Sequence, residues 1–128
     1  MQAQLEPRYV LIVEDDTFQG LDLVATVEKA GYDALGPFAD CQSVLELLED
    51  FIPDAALLDI RLEGKETTKQ VADILTDFGV PFAFVTAFPG DVARRMPEHR
   101  NAPVFSKPCR PVDVAALADR LVKASPVP

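Results

Sequence analysis

The stretch Ala55-Ala56-Leu57-Leu58-Asp59 constrains the fold more than any other: four small or apolar residues run straight into a carboxylate. A short apolar run of this kind reads as a strand buried on both faces, as in a parallel sheet, although periodicity alone leaves a buried helical segment open. Taken by itself, Asp59 reads equally well as the cap of a helix or turn. Three further apolar runs also end in chemically useful side chains. Tyr9-Val10-Leu11-Ile12-Val13 leads into Glu14-Asp15-Asp16, Phe82-Ala83-Phe84-Val85 into Thr86, and Val104-Phe105-Ser106 into Lys107. In open parallel sheets, chemistry gathers outside the carboxyl ends of the strands. A parallel sheet would therefore bring all four endings to one crevice.

The rest of the chain punctuates these runs with helices. Strands are expected at about 8–13, 32–37, 55–58, 82–86 and 103–106. A helix at 17–30 carries Leu21, Val24, Ala25 and Glu28 at helical spacing, with Gly31 as its stop. Asp40 is a plausible N-cap for a second helix, which carries Val44, Leu45, Leu47 and Leu48 and ends near Pro53. After a loop at 60–65, a helix at 66–78 buries Val71, Ile74 and Leu75 before Gly79. Residues 87–97, flanked by Pro89-Gly90 and Pro97, leave room for a short helix at most, and a final helix at 111–123 carries Val114, Leu117, Ala118 and Leu121. Strand and helix alternating five times argue an α/β fold, with a parallel sheet covered on both faces and right-handed crossovers. The 128 residues suit one core. We divide the chain into a tail at 1–7, one domain at 8–123 and a second tail at 124–128.

Charge and composition exclude several classes of function. The chain is 48% hydrophobic, which argues against disorder, and its net charge of −9 argues against nonspecific nucleic-acid binding and against anionic membrane surfaces. No apolar run approaches the roughly 20 residues of a membrane span. The amino end lacks a charged-then-apolar signal pattern, so a cytoplasmic protein is expected. Cys41 and Cys109 form no metal-spaced pair and read as two reduced thiols.

Glu14, Asp15, Asp16 and Asp59 would crowd several carboxylates at one sheet edge. Like charges about 4 Å apart repel by about 1 kcal/mol in water and about 4 kcal/mol at an effective dielectric of 20. A cation offsets that repulsion, and magnesium suits an oxygen-rich site built on one or two carboxylates and a phosphate. With Lys107 as a fixed positive charge and Thr86 as a hydroxyl donor, these are the parts needed to transfer a phosphoryl group onto Asp59.

This constellation resembles the receiver domain of two-component response regulators. The likeness runs over about residues 8–123, with the acidic cluster, the strand-three Asp, the strand-four Thr and the Lys-Pro in family order. It implies a (βα)5 flavodoxin-like doubly wound parallel sheet of order 2-1-3-4-5. It implies that Asp59 receives its phosphoryl group from the phosphohistidine of a histidine kinase, and that Mg2+ is the cofactor. By the same likeness Asp15 and Asp59 are direct metal ligands, Glu14 acts through water, and the backbone carbonyl of Arg61 completes the protein's share. Thr86 and Lys107 match the family's switch Thr and phosphate-contacting Lys. The stretch Phe84-Val85-Thr86-Ala87-Phe88 resembles an alphaproteobacterial subgroup of stand-alone receivers with a Phe-Ala-Thr-Gly-aromatic motif, which work with kinases of the HWE or related type.

The chain departs from the family at two places. Val104 stands three residues before the Lys, where the family usually has an inward-turning aromatic, and Phe105 is one place off. Leu62-Glu63-Gly64-Lys65-Glu66 replaces the common Pro-Gly-Met turn. A ring flip is therefore not expected, and the ordering of residues 87–97 is the expected readout. The resulting reading is a single-domain regulator that signals to a downstream protein target. It is not an enzyme beyond magnesium-dependent self-phosphorylation and self-dephosphorylation. The alternatives are a phosphate sink or a phosphorelay intermediate, and a haloacid-dehalogenase-like phosphatase. The phosphatase family wants a second Asp two residues after the nucleophile, where this chain has Arg61. Several residues read blandly: Asp16 as a helix-cap acid, His99 as exposed and inert, Cys109 as a small packing group, and Arg94-Arg95 as a solvated face that could meet an acidic partner.

Overall fold

Every side chain of the Ala55–Leu58 run is buried, because that strand lies at the centre of a five-stranded sheet with helices on both faces. The computed structural model describes residues 6–62 and 66–126. Parts of both expected tails, and residues 63–65 of the loop after Asp59, lie outside them. In chain order the elements are β1 (Tyr9–Val13), α1 (Thr17–Lys29), β2 (Asp33–Phe38), α2 (Cys41–Asp50), β3 (Ala55–Leu58), α3 (Lys69–Asp77), β4 (Phe82–Thr86), α4 (Asp91–Arg95), β5 (Val104–Ser106) and α5 (Pro111–Ala124). A 3-10 turn over Pro97–His99 follows α4. All strand pairs are parallel, in the order β2-β1-β3-β4-β5, which is the expected flavodoxin-like arrangement. Among the described residues no helix is long and apolar enough to cross a membrane.

Strand side chains point alternately to the two faces. Val10, Ile12, Ala55, Leu57, Ala83 and Val85 pack under α1 and α5 against Val27, Val114, Leu117 and Leu121. Leu11, Val13, Ala56, Leu58 and Phe84 face the other way, onto Val44, Leu48, Val71, Leu75, Val92 and Met96. Two apolar layers thus clamp the sheet, and only the strand ends are left for polar chemistry.

Three local readings need correction. In α1 the buried residues are Gly20 and Val27, whereas Leu21 is half exposed and Ala25 and Glu28 are exposed. Gly20 lies so close to Pro37 of β2 that a Cβ there would stand 2.7 Å from the proline ring. That approach turns Gly20 toward the sheet, and Leu21, about 100° further round the helix, turns outward. The helix expected from residue 66 begins at Lys69, because Leu62 N–H donates to the Glu66 carbonyl (2.9 Å) and Arg61 bridges Thr67 in a small antiparallel pair. Ile74 is only half-buried there. His99 is buried rather than exposed: the 3-10 turn swings its ring against Phe82 and puts Nε2 2.7 Å from Asp73 Oδ1. Asp16 and Asp40 do cap α1 and α2, accepting from the N–H groups of Gln19 (2.9 Å) and Ser43 (2.8 Å). Cys41 and Cys109 are both free thiols, and burial beside Glu66 pushes the Cys41 thiol up to about 11.

β2 is the half-buried edge, and its register with β1 shifts between Leu11 and Val13. Gly36 sits at that shift with φ +121°, where an added Cβ would stand 2.5 Å from the Ile12 carbonyl oxygen. Gly31 has φ +104° with nothing within 4 Å. Gly36→Ala is therefore expected to lower the unfolding free energy by roughly 3 kcal/mol and Gly31→Ala by roughly 1 kcal/mol. Urea unfolding of both variants measures this, and equal losses would contradict the close approach.

Candidate functional site

The four sheet endings meet at the carboxyl edge, as the apolar runs imply. β1 delivers Glu14, which is 2% exposed, β3 delivers Asp59 at 8% and β4 delivers Thr86, fully buried. β5 delivers Lys107, whose backbone N–H donates to the Thr86 carbonyl (2.8 Å). Asp59 stays in line with the sheet through its N–H to the Val13 carbonyl (2.9 Å). Its carbonyl accepts from the buried Thr68 hydroxyl (2.6 Å), and its Oδ1 accepts from Ile60 N–H (2.7 Å). The backbone and one carboxylate oxygen are thus fixed, and the other oxygen, Oδ2, turns to Lys107.

Lys107 ties the site together. Its Nζ donates to Asp59 Oδ2 (2.8 Å) and also to Glu14 Oε1. Glu14 Oε2 accepts in turn from the Asp16 backbone N–H (3.1 Å). Burial pushes the Glu14 carboxyl above its usual range; the Lys107 hydrogen bond pulls the other way, and the Asp59 charge adds to the rise. Burial works to lower the Lys107 pKa, but the hydrogen bonds to Asp59 and Glu14 outweigh it and raise the value.

Carboxylate oxygens of Glu14, Asp15 and Asp59 all lie within 4.8 Å of one another. Three carboxylates and one ammonium, which pairs with Glu14 and Asp59, leave a surplus of negative charge at the site. Oxygens on opposite sides of a magnesium ion stand about 4 Å apart, so a small closure of these side chains accommodates that ion. The donor set, all hard oxygen, fits it as well. Asp16 is outside this cluster and spends its carboxylate on the N-terminus of α1.

Thr86 Oγ1 accepts from the Phe88 backbone N–H (3.0 Å), which links the site to the segment before α4. The Arg61 side chain reaches the same segment. Its guanidinium lies 3.7 Å from the Phe88 ring centroid and its Nε donates to Asp91 Oδ2 (2.7 Å). Asp91 is 1% exposed and also meets Arg94 (2.5 Å) and Arg95 (3.6 Å). Sequence reasoning missed this cluster. The one available signal was an acid directly after Pro89-Gly90, at the start of a helix that carries Arg94 and Arg95 one turn later. Residues 91–99 are also better built than their breakers suggest, since Val92, Met96 and His99 enter the core.

The hydrogen bonds from Arg61 and Arg94 hold the Asp91 carboxyl down at about 2, against an ordinary value of 3.8. A depressed carboxyl pKa contributes stability that is complete above the unfolded value and is lost as pH falls through the folded one. The stabilisation that Asp91 gives α4 is therefore expected to be complete above about pH 4 and to be lost progressively as pH falls from 3.8 toward about 2. Carboxyl-carbon NMR of Asp91 checks this, and a midpoint near 3.8 or above would contradict it.

Comparison with known proteins supports the same family. No protein-family model matches the chain. The phyllosphere-induced regulator PhyR of Methylorubrum extorquens is 33% identical over 112 residues, covering 84% of this chain and 41% of that protein, so the chain spans less than half of that relative's length. The solution structure of SdrG from Sphingomonas melonis Fr1 is 30% identical with a TM-score of 0.75, covering 91% of this chain and 97% of SdrG. The PhyR receiver domain of Erythrobacter litoralis is 28% identical with a TM-score of 0.79 and covers 95% of each chain. With its sheet order, its carboxyl-edge site and these relatives in agreement, the chain belongs to the response-regulator receiver domains of two-component signalling and is similar to PhyR and SdrG.

Proposed function

We propose that this receiver accepts a phosphoryl group on Asp59 from the phosphohistidine of a histidine kinase, and that it signals through phosphorylation-dependent contacts with a downstream protein. The observation that carries this reading is the pairing of Asp59 Oδ2 with Lys107 inside the Glu14, Asp15 and Asp59 cluster. A carboxylate oxygen of Asp59 attacks phosphorus, the nitrogen–phosphorus bond breaks, and the imidazole leaves while an acyl phosphate forms. Mg2+ neutralises charge on the phosphoryl oxygens when it is bound. Asp15 and Asp59 would hold it directly, with the Arg61 backbone carbonyl and with Glu14 through water. Lys107 pairs with one phosphoryl oxygen and the Thr86 hydroxyl donates to another. The acyl phosphate carries about −1.5 to −2 charges in place of the carboxylate's single one, and the Phe88 N–H on Thr86 Oγ1 carries the change to residues 87–90. The cytoplasm, a kinase of the HWE type and a single-domain role belong to the same proposal.

Acetyl phosphate with magnesium is expected to add one phosphoryl group to the wild-type protein by intact mass and none to Asp59→Asn. Stable labelling of that variant would overturn the assignment.

Magnesium is expected to stabilise the unphosphorylated protein by about 2.7 kcal/mol at 100 times its Kd. Asp15→Asn should lose most of that gain. Asp16→Asn should keep it, because Asn caps α1 as well as Asp does. Thermal melts of chelator-treated protein with and without magnesium decide this. Equal effects of the two substitutions would mean that the acidic pair is read in the wrong register.

A further inference from the structure

Three guanidinium groups surround one buried carboxylate at α4. Arg61, Arg94 and Arg95 stand 2.7, 2.5 and 3.6 Å from Asp91. Asp91 is 1% exposed, whereas the three arginine side chains are 41%, 72% and 46% exposed. Each guanidinium carries five N–H donors, and a carboxylate offers about four lone-pair sites. Asp91 can therefore take up only a minority of the roughly fifteen donors. The result is a cationic face on a chain whose net charge is −9. Beside it lies Phe88, 43% exposed, with the Arg61 guanidinium stacked on its ring. Arg61 is held by the stack and the ion pair together, so a partner meets a side chain whose freedom is already spent. Arginine beside an exposed aromatic is also the composition that dominates binding energy at protein interfaces.

We propose that this face docks an acidic segment of a partner protein, whose carboxylates are taken by Arg94 and Arg95 while an apolar side chain lies on Phe88. Guanidinium and carboxylate match bidentately, which favours a carboxylate-bearing peptide. A nucleic acid would set a long row of phosphates against an acidic protein, so a short acidic segment that meets only this face fits better. The face adjoins the site on two sides. Arg61 is two residues past Asp59, and the Phe88 N–H donates to Thr86 Oγ1. Docking here deepens the proposed function by naming the chemistry of the partner, and it rests on that function only for its control by phosphorylation.

The test uses the full chain and a short fluorescein-labelled peptide in which glutamates flank one phenylalanine. Anisotropy is expected to show binding that weakens with salt. Affinity should fall by about tenfold or more in the Arg94→Ala/Arg95→Ala double variant and by less in Arg94→Lys/Arg95→Lys, which keeps the charge but not the fork. Arg110→Ala, which removes an exposed arginine at the start of α5, should bind as the wild type does. The glutamine counterpart of the peptide should not bind. Thermal melts identify a double variant that fails to fold, in which case the Lys pair and the glutamine peptide decide the matter. Undiminished binding by the folded double variant, equal binding of the glutamine peptide, stronger binding of a single-stranded oligonucleotide, or self-association through this face would each overturn the proposal. Acetyl phosphate labelling is read separately: absent labelling of wild type would overturn the phosphoacceptor reading and leave the peptide result standing.

Discussion

Lys107 holds the carboxyl edge together. Its ammonium joins Glu14 at the end of β1 to Asp59 at the end of β3, from a position just beyond β5. Removing one partner of a buried pair typically costs about 3–5 kcal/mol, because the remaining charge is left without compensation. Glu14 and Asp59 are 1% and 10% exposed at their side chains, so Lys107 is what allows two carboxylates to stay that close in the resting protein. The same arrangement suits it for phosphoryl transfer. In the proposed phosphoryl transfer, an ammonium already aimed at Asp59 Oδ2 would need little rearrangement to meet the negative charge on a phosphoryl group attached to that carboxylate.

The two faces of the sheet lead to different consequences at β5. Val104 pairs with Phe84 in register and packs on the α3 and α4 side, whereas Phe105 lies among the α1 and α5 contacts. An aromatic at 105 cannot stand in for one at 104, since neighbouring strand positions face opposite layers. Between Asp59 and α4 the contacts run through Arg61 and through Thr86 and the residues after it. Of these, 87–90 are exposed, while Asp91, Val92, Met96 and His99 are buried. The His99–Asp73 contact anchors the 3-10 turn to α3, and hydrogen bonds from Lys69 and His99 overcome burial to lower the Asp73 carboxyl pKa. The segment expected to order as a whole, 87–97, thus divides into an exposed stretch and one anchored in the core.

Much of this was legible in the chain. The apolar runs of β1, β3 and β4 announce buried strands because both faces of each are covered, and their polar endings announce the crevice. The N-caps Asp16 and Asp40 and the stop at Gly31 follow from local hydrogen bonding and backbone freedom. What was not legible depends on contacts between distant segments. The exposure of Leu21 depends on Gly20 meeting Pro37, a tertiary contact that helical spacing does not encode. His99 sits in a polar run whose local pattern says surface, and only the 3-10 turn brings it to Asp73 and Phe82. The Arg61–Asp91 pair spans 30 residues, and its members belong to a loop and to a five-residue helix that carry little local signal.

Hydrogen exchange with and without beryllofluoride, in the presence of magnesium, tests most directly whether Asp59 is coupled to α4 through Thr86. Protection is expected to change most at residues 87–90, with little change in α1, and Thr86→Ala should blunt the change while leaving Asp59 able to accept a phosphoryl group. A change at 87–90 no larger than in α1, or one centred on Val104–Ser106, would contradict that coupling.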